Sequence, residues 1–340
     1  MKKKVLNAVF FFLVMGLTFY TVLRNNDLTQ MSLAFRGAKV IWLIPAVACA
    51  LFFVASEGCM IWDLLRLLGH RNSLLRCISY SFIGYFYSGI TPSSSGGQPM
   101  QLYYMKKDGN SMADSSVILM TLAFFSRLIL SVVGILLLLF CSGLLHTYFQ
   151  GYIYIYYLGL TLNTLTALFI FGAMAAPGVL HRIIKAVESF LVRIHLMKPS
   201  SGRIESIDGF IDGYRSAVSF LVGHKGRVAY LFFFSFIQRI SLYILTWFVC
   251  MGFGMKDPGF LKISLLQAAI YVAVEMLPLP GAQGITELLY HNVFGTLLGT
   301  FLGPTMLVVR GIDFYMLMLL GMLAVLLRLV QRKYATVRIS

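Results

Sequence analysis

The sequence predicts an all-α polytopic membrane protein with about six full transmembrane helices and two re-entrant helical hairpins arranged as inverted repeats. Its 340 residues are 59% hydrophobic and 12% charged, whereas soluble domains carry about 25% charged residues. Proline and glycine interrupt two of its apolar regions, and its basic residues lie in a few short segments. The composition indicates a protein that lies in the bilayer, the proline and glycine residues indicate the hairpins, and the basic segments indicate the orientation.

Full spans are the first elements that the sequence predicts. A helix needs about 20 apolar residues to cross the hydrocarbon layer of about 30 Å. Lysines at residues 2–4 precede the first apolar stretch, and no small-residue cleavage site follows it, so we expect a retained signal-anchor helix. The predicted spans cover about residues 5–23, 40–68, 114–143, 152–176, 228–252 and 305–330.

Two hairpins are predicted between these spans, at about residues 74–105 and 260–302. Each contains a break, 91–99 in the first and 278–287 in the second, which leaves helical arms of about 10–18 residues. Irregular backbone is tolerated at membrane depth only where protein buries it or where it lines a wet cavity. We therefore predict re-entrant hairpins whose tips hold the two breaks.

An internal repeat relates the two hairpins. We take repeat one as about residues 40–143 and repeat two as about 228–330, within a single membrane domain of residues 1–340. Paired breaks in corresponding positions of two halves indicate the binding site of a transporter. Four residues in each half have offsets of 0, 7, 34 and 36 from a tryptophan: Trp62, Gly69, Gly96 and Gln98, and then Trp247, Gly254, Gly281 and Gln283.

Basic residues predict the orientation, because cytoplasmic loops of membrane proteins are rich in lysine and arginine. The chain has a formal net charge of +15. Lys256 and Lys262 are a small exception, but if both hairpins re-enter, all strongly basic segments share the cytoplasmic side with both termini. The hairpins then enter from opposite faces, as inverted repeats with alternating access do. The basic segments are residues 2–4, 66–76, 106–107, 178–227 and 328–338.

The basic segment 178–227 contains two amphipathic stretches, about 181–197 and 204–221, joined by a turn at 198–202. One interpretation is a cytoplasmic helical hairpin that packs on the membrane face. The other is a contact with anionic lipid or a regulatory element. The sequence leaves both open.

Several classes of function are disfavoured. The basic residues are spread over short loops, and no compact soluble domain carries them, so nucleic acid is a poor partner. The five cysteines form no C-x-x-C pair, the six histidines show no H-E-x-x-H spacing, and the sequence has no G-x-S-x-G motif. We therefore expect no metal, no cofactor and no catalytic residues.

Charged residues inside the spans are the candidates for function, because each costs about 2.5–3.5 kcal/mol even on lenient insertion scales. Arg127 and Arg310 each follow a break, Arg239 precedes the second break, and Glu275 and Glu287 flank it. Guanidinium groups are planar forks of donors that suit phosphate, and half-helix N-termini add N–H donors. We predict that the three arginines bind a lipid phosphate together with residues of the breaks: Gly96, Gly97, Gln98, Gly281, Gln283 and Gly284.

Carboxylates inside the apolar regions are predicted to have coupling or structural roles. Glu287 could cap the half-helix that follows it or carry a coupling proton. The arginines could instead form structural ion pairs, Arg310 with Asp313 or Arg239 with Glu57. The predicted coupling or structural carboxylates are Glu57, Glu287 and Asp313.

Two motifs carry a resemblance to a known family. The first is the run G-x4-G-I-T-P-S-S-S-G-G-Q-P over residues 84–99, and the second is P-x-P-G-x-x-G-x-x-E over residues 278–287. They resemble the transmembrane region of lysylphosphatidylglycerol synthase/flippase (MprF-type) proteins and of their stand-alone flippase-like relatives, over nearly the whole chain. In that family these segments belong to the portion that moves a phospholipid head group between leaflets.

The resemblance implies a flippase for an anionic or aminoacylated phospholipid, or for a related lipid-phosphate carrier, in the plasma membrane of a bacterium. Its partners would be that phospholipid and anionic lipid at the cytoplasmic face, and a homodimer is compatible with the sequence. Bifunctional members carry a soluble transferase domain after the membrane part. This chain ends at Ser340 without one, so lysyl transfer is not expected from it. The alternatives left open are a membrane-embedded lipid-modifying enzyme, such as a phosphatidylglycerol lysyltransferase, and a small-solute carrier.

Overall fold

The structure is a computed structural model that describes residues 35–176, 178–179, 181–182, 186, 188–189, 201–256 and 258–337. Within these residues every regular element is helical. The predicted span at 5–23 and most of the amphipathic stretch at 181–197 lie outside the described residues.

The first half of the described chain forms six helices. A short 3-10 turn, Val40–Trp42, leads into the first of them. The helices are α1 (Leu43–Leu67), α2 (Leu74–Gly89), α3 (Gly97–Lys107), α4 (Met112–Phe140), α5 (Ser142–Tyr148) and α6 (Ile153–Ala175).

The second half continues with six more helices in its described part. A π-helical turn, Gly311–Met316, connects the last two of them. The helices are α7 (Ser201–Gly223), α8 (Lys225–Gly252), α9 (Phe260–Val274), α10 (Ile285–Leu298), α11 (Leu302–Arg310) and α12 (Leu317–Val337).

Five helical stretches of the described residues are long and apolar enough to cross a membrane, so the protein is a multi-pass membrane protein. Four of them confirm the spans predicted at 40–68, 114–143, 152–176 and 228–252. The predicted span at 305–330 is part of a longer helical run that begins at the second break. The five stretches are Val40–Leu67, Met112–Phe140, Ile153–Ala175, Lys225–Gly252 and Pro280–Gln331.

Helices α1 and α8 end in the same way. Gly69 and Gly254 both have positive φ, +85° and +75°, a conformation that glycine adopts without steric cost. Their N–H groups donate to carbonyls three residues back, and the next N–H donates five residues back, as in a Schellman cap. The equal spacing of these two glycines from Trp62 and Trp247 therefore marks one kind of helix end.

The predicted breaks interrupt the helices where the proline and glycine lie. A 3-10 turn, Pro92–Ser94, separates α2 from α3, and a second, Pro280–Ala282, separates α9 from α10. In each turn the two residues after the proline have φ between 50° and 57°. The two turns contact each other, so the two breaks meet, although neither turn contains a buried residue.

The register between the two breaks differs from the one that the equal offsets predict. Gly96 and Gly284 both stand directly before a helix, four residues after Pro92 and Pro280 (96 − 92, 284 − 280). When the two turns are aligned on their prolines, Gly96 matches Gly284, three residues beyond Gly281, and Gln98 no longer matches Gln283. The cause is the connection before each turn, residues 90–91 in the first half and the longer 275–279 in the second.

Two apolar clusters fill the interior on either side of a polar layer. One contains the start of α1 and the ends of α4 and α8, and the other contains the end of α1 and the starts of α4 and α8. Charged side chains lie in these helices at the boundary between the clusters: Glu57 follows Val54, Arg127 follows Phe125, and Arg239 precedes Leu242. The helices that cross the membrane thus place their charges near mid-length.

Helix α7 confirms that the amphipathic stretch predicted at 204–221 is helical. It packs on α4 and α8 through Tyr214, Ala217 and Leu221, which are buried. The Tyr214 hydroxyl donates to the sulfur of Met120 at 3.4 Å. This helix therefore extends the packed helical body beside α4.

Candidate functional site

A cavity of about 300 Å³ lies in the polar layer, against the first break. Helices α1, α2, α3, α4, α6 and α8 and the two break regions line it. Its polar wall comprises the serines Ser93, Ser94, Ser95 and Ser126, the amides Gln98, Gln101 and Gln238, and the charged residues Glu57, Arg127, Arg239 and Glu275. A cavity of this kind, walled largely by hydrogen-bonding groups, can hold a polar ligand inside the membrane domain.

Two arginines meet in this cavity on one carboxylate. Arg239 Nη1 donates to Glu275 Oε2 at 2.6 Å and its Nη2 to Glu275 Oε1 at 2.8 Å. Arg127 Nη1 donates to the same Oε1 at 3.0 Å. Two guanidinium groups share this one carboxylate, so Arg127 and Arg239 together have more N–H donors than Glu275 uses and can bind a further anion.

Neighbouring helices hold the two arginines differently. Ser126 accepts a hydrogen bond from Arg239 Nη2, and the Phe53 ring lies 5.4 Å from the Arg239 guanidinium. Arg127 Nη1 also donates to Asn163 Oδ1 at 3.3 Å. Among the described residues, Arg127 Nε and Nη2 make no hydrogen bond, so Arg127 keeps donors for a ligand.

Glu57 lies in the same cavity and forms no ion pair with an arginine of the described residues. Its Oε1 accepts a hydrogen bond from Gln101 Nε2 at 2.6 Å. The alternative pairing of Arg239 with Glu57 is wrong, because Arg239 directs both terminal nitrogens at Glu275. Glu275 reaches them because it begins the longer connection before the second break.

A second, smaller cavity of about 130 Å³ adjoins the first. Phe53, Tyr85, Ser88, Ser94, Arg239 and Glu275 line both cavities, so the two are neighbours across these side chains. The far wall of the second cavity contains Gly281, Arg310 and Asp313.

Arg310 is paired within the second break. Its Nε donates to Glu287 Oε1 at 2.9 Å and its Nη2 to the Gly281 carbonyl at 3.3 Å. Glu287 Oε2 accepts from the Gly284 N–H at 2.6 Å, so Glu287 caps α10 as predicted. The alternative pairing of Arg310 with Asp313 is wrong, because Arg310 turns toward the break.

Asp313 lies in the π-helical turn and is 5% exposed. Its Oδ2 accepts from the Tyr271 hydroxyl at 2.8 Å, and its backbone carbonyl accepts from the Tyr85 hydroxyl at 2.5 Å. Its Oδ1 has no hydrogen-bond partner among the described residues. Asp313 is thus a buried carboxyl without an arginine partner.

The predicted glycines of the breaks have roles in packing. A Cβ atom on Gly97 would lie 2.7 Å from the Gly84 carbonyl, and one on Gly96 would lie 2.6 Å from the Thr91 methyl. Gly281 contacts the Phe314 ring and lines the second cavity, whereas Gly284 is held by Glu287. Gly96, Gly97 and Gly281 thus let the broken chain pack tightly, whereas Gly284 has open space beside it and a φ of +81°.

The two glutamines of the breaks differ in position. Gln98 lines the first cavity. Gln283 lines neither cavity, and its Oε1 accepts a hydrogen bond from the Tyr315 hydroxyl at 3.4 Å. Of these two glutamines, only Gln98 is therefore placed to contact a ligand in the cavities.

The structure brings Arg127 and Arg239 together and places Arg310 in the adjoining cavity. Sequence reasoning placed Glu275 beside the break but did not assign it to the arginines. A charge that ends an apolar helix was the signal for it. Asn163, Ser126 and Tyr271 carry no sequence signal, because polar residues of these types are common in helices. Within the described ranges no three His, Cys, Asp or Glu side chains gather closely enough to hold a metal ion.

The fold and its polar centre define a multi-pass helical membrane protein with buried charges gathered at two broken helices. The family model of the lysylphosphatidylglycerol synthase TM region matches residues 5–321, so the chain belongs to that family. The match confirms the resemblance that the two break motifs carry. A search of the curated proteins found no significant match.

Proposed function

We propose that the protein moves a lipid with an anionic head group between the two leaflets of the plasma membrane. The observation that carries this proposal is the pair of guanidinium groups, Arg127 and Arg239, on Glu275 in a cavity at mid-length of the helices. The family supports it, because its model describes the membrane region of a phospholipid-modifying protein. The head-group phosphate binds the arginines while the acyl chains stay in the surrounding lipid.

The cavity favours a head group that carries hydroxyl or amino groups beside its phosphate. Ser93, Ser94 and Ser95 lie on one wall, and Gln98 and Gln101 continue it. Hydroxyl and amide groups both donate and accept hydrogen bonds, so they suit a glycerol or sugar head group. Glu57 adds an acceptor for an ammonium group, such as that of an aminoacylated lipid.

Glu275 acts as an internal competitor for the phosphate in this mechanism. It occupies both arginines when no substrate is present, which avoids leaving two buried cations unpaired. An entering phosphate first accepts hydrogen bonds from Arg127, because this side chain is 15% exposed and its Nε and Nη2 have no partners among the described residues. Release of the lipid then returns the arginines to Glu275.

The helix–break–helix units supply the movement in this proposal. The units α2–α3 and α9–α10 enter the bilayer from opposite faces as re-entrant hairpins of two inverted repeats. Both termini lie in the cytoplasm, as the basic segments predict. Three observations support this arrangement. Both breaks contain a 3-10 turn in which the two residues after the proline have positive φ, α1 and α8 end in the same kind of cap, and the two breaks contact each other.

A head-group panel tests the proposal in proteoliposomes that contain the purified protein. Phosphatidylglycerol, lysylphosphatidylglycerol, polyprenyl phosphate and a neutral glycolipid, each with a fluorescent label on its hydrocarbon tail, are followed by dithionite quenching of the outer leaflet. We expect faster exchange for lipids with a phosphate and no acceleration for the neutral glycolipid. Equal acceleration of all lipids, or of none, would contradict the proposal.

A further inference from the structure

The second cavity contains a carboxyl group that the proposed transport step does not use. Glu275 and Asp313 line this cavity, and a third carboxyl group, Glu287, is bound to its lining residue Arg310. Both oxygens of Glu275 and both oxygens of Glu287 accept hydrogen bonds from arginine or backbone donors. Asp313 alone among the three has an oxygen, Oδ1, without a partner in the described part of the chain.

Among the described residues, two tyrosines and one arginine lie on the helices next to Asp313. Tyr271 of α9 donates to its side chain, and Tyr85 of α2 donates to its backbone. Arg310 of α11 is bound to Glu287 of α10.

The other groups of the cavity are engaged elsewhere or uncharged. Arg239 and Glu275 are paired across the cavity, and Tyr290 of α10 lines it with a hydroxyl that has no described partner. Tyr315 of the same π-helical turn contacts Gln283, and Glu57 of α1 lines the other cavity. No cation is therefore within ion-pair distance of Asp313 among the described side chains.

A carboxyl group in this position favours binding a proton. A buried carboxylate with one oxygen that lacks a donor and with no ion-pair partner is costly, and protonation removes that cost. Asp313 is 5% exposed and lines a cavity of about 130 Å³, which is room for a few water molecules that can deliver the proton. It also lies in a π-helical turn, a distortion that occurs often at functional sites.

Asp313 is also placed to transmit its charge state to both helix–break–helix units. Tyr85 belongs to α2 of the first unit, and Tyr271 belongs to α9 of the second. Both tyrosines donate to this one residue, so Asp313 connects α2 and α9, the helices that precede the two breaks. A change of charge on Asp313 alters the bond with Tyr271 and thereby the contact between the units.

We propose that Asp313 is a proton-binding site through which a proton gradient drives lipid movement. This inference rests on the proposed function and adds its source of energy. The proton binds Asp313 Oδ1 from the side of higher proton concentration, and it leaves toward the other side when the units rearrange. No covalent bond other than this O–H bond forms or breaks.

The test compares wild-type protein with Asp313→Asn, which keeps the shape and removes the proton site. Proteoliposomes are loaded with acyl-labelled fluorescent phosphatidylglycerol, and exchange is followed with no gradient and with a pH gradient in either direction. We expect the gradient to accelerate net movement by wild-type protein and to have no effect on Asp313→Asn, which retains exchange without a gradient.

A second pair of variants keeps the inference testable if Asp313→Asn fails to fold. Tyr271→Phe removes the hydroxyl that stabilises the carboxylate, so protonation of Asp313 becomes easier. We expect the pH midpoint of transport to rise by about one pH unit, which corresponds to the loss of one hydrogen bond to a charged group. Tyr290→Phe is the matched control, because Tyr290 lines the same cavity and makes no bond to Asp313. Its midpoint should equal that of wild-type protein.

The outcomes separate this inference from the proposed function. If wild-type protein moves lipid but ignores the pH gradient, or responds only to a sodium gradient, the proton site is wrong and lipid transport stands. The inference is also overturned if folded Asp313→Asn responds to the gradient as wild-type protein does, if it loses exchange under all conditions, or if Tyr271→Phe leaves the midpoint unchanged. If wild-type protein moves no lipid, the proposed function fails and takes the inference with it.

Discussion

The two arginine sites of the protein use the same chemistry for different ends. At the first cavity Arg127 and Arg239 share Glu275, and Arg127 keeps donors without partners among the described residues. At the second break Arg310 pairs one-to-one with Glu287, and both side chains also bind the backbone of the break. We propose from this comparison that the first site takes up an anion and that the second holds the broken chain in shape.

Arg239→Ala should have the largest effect, because Arg239 donates to both oxygens of Glu275 and to Ser126. Removing one partner of a buried ion pair costs about 3–5 kcal/mol, so we expect lipid exchange to fall by at least about 100-fold. Fluorescent-lipid exchange in proteoliposomes at matched protein content measures this. Arg328→Ala is the control, since Arg328 is a half-buried arginine that pairs with Asp108 away from both cavities.

Glu287→Gln should lower stability more than transport. The change leaves Arg310 buried with the Gly281 carbonyl and weakens the cap of α10. A loss of about 2–3 kcal/mol corresponds to a fall in Tm of roughly 5 °C or more, measured by thermal unfolding in detergent. Exchange per folded molecule should remain within about twofold of wild type. A Tm equal to that of wild-type protein would remove the contrast between the two sites.

Glu275→Gln sharpens the comparison from the other side. If Glu275 competes with the lipid phosphate, its neutral counterpart should bind phosphatidylglycerol about tenfold more tightly, which corresponds to about 1.4 kcal/mol. Titration of the protein in neutral detergent with short-chain phosphatidylglycerol measures this affinity. Weaker binding would show that Glu275 only orients the arginines.

Gly281→Ala should have the smallest effect of the four. Gly281 has φ of +57° and contacts the Phe314 ring, so an alanine meets both conformational cost and crowding. Gly254→Ala is the matched control, because Gly254 has φ of +75° with open space around it. We expect Gly254→Ala to cost about 1 kcal/mol and Gly281→Ala to lower Tm further, by thermal unfolding. Equal losses would contradict a packing role for Gly281.

The sequence predicts the spans well because hydropathy over 20 or so residues is a strong local signal. Four spans and the positions of both breaks agree with the structure within a few residues. The register of the repeat is less certain from sequence, since three additional residues before the second turn shift Gly281 away from Gly96. Equal spacing from a tryptophan could not show that shift.

Partners of the buried charges could be predicted only in part. The apolar surroundings marked Arg127, Arg239 and Arg310 as candidates, but which carboxylate each one meets depends on packing between distant helices. Glu275 reaches two arginines because it stands at the end of α9, and Asp313 misses Arg310 although it lies three residues away. Side-chain direction, which the sequence does not encode locally, decides both.

The most direct test of the account is the exchange of phosphatidylglycerol by Arg127→Lys, which keeps the charge but loses the planar fork. It is compared with Arg328→Lys, the same change at an arginine outside both cavities. The account predicts exchange at least about tenfold slower for Arg127→Lys, with Arg328→Lys near the wild-type rate and both proteins equally folded. Wild-type exchange by Arg127→Lys would contradict a phosphate site at this cavity.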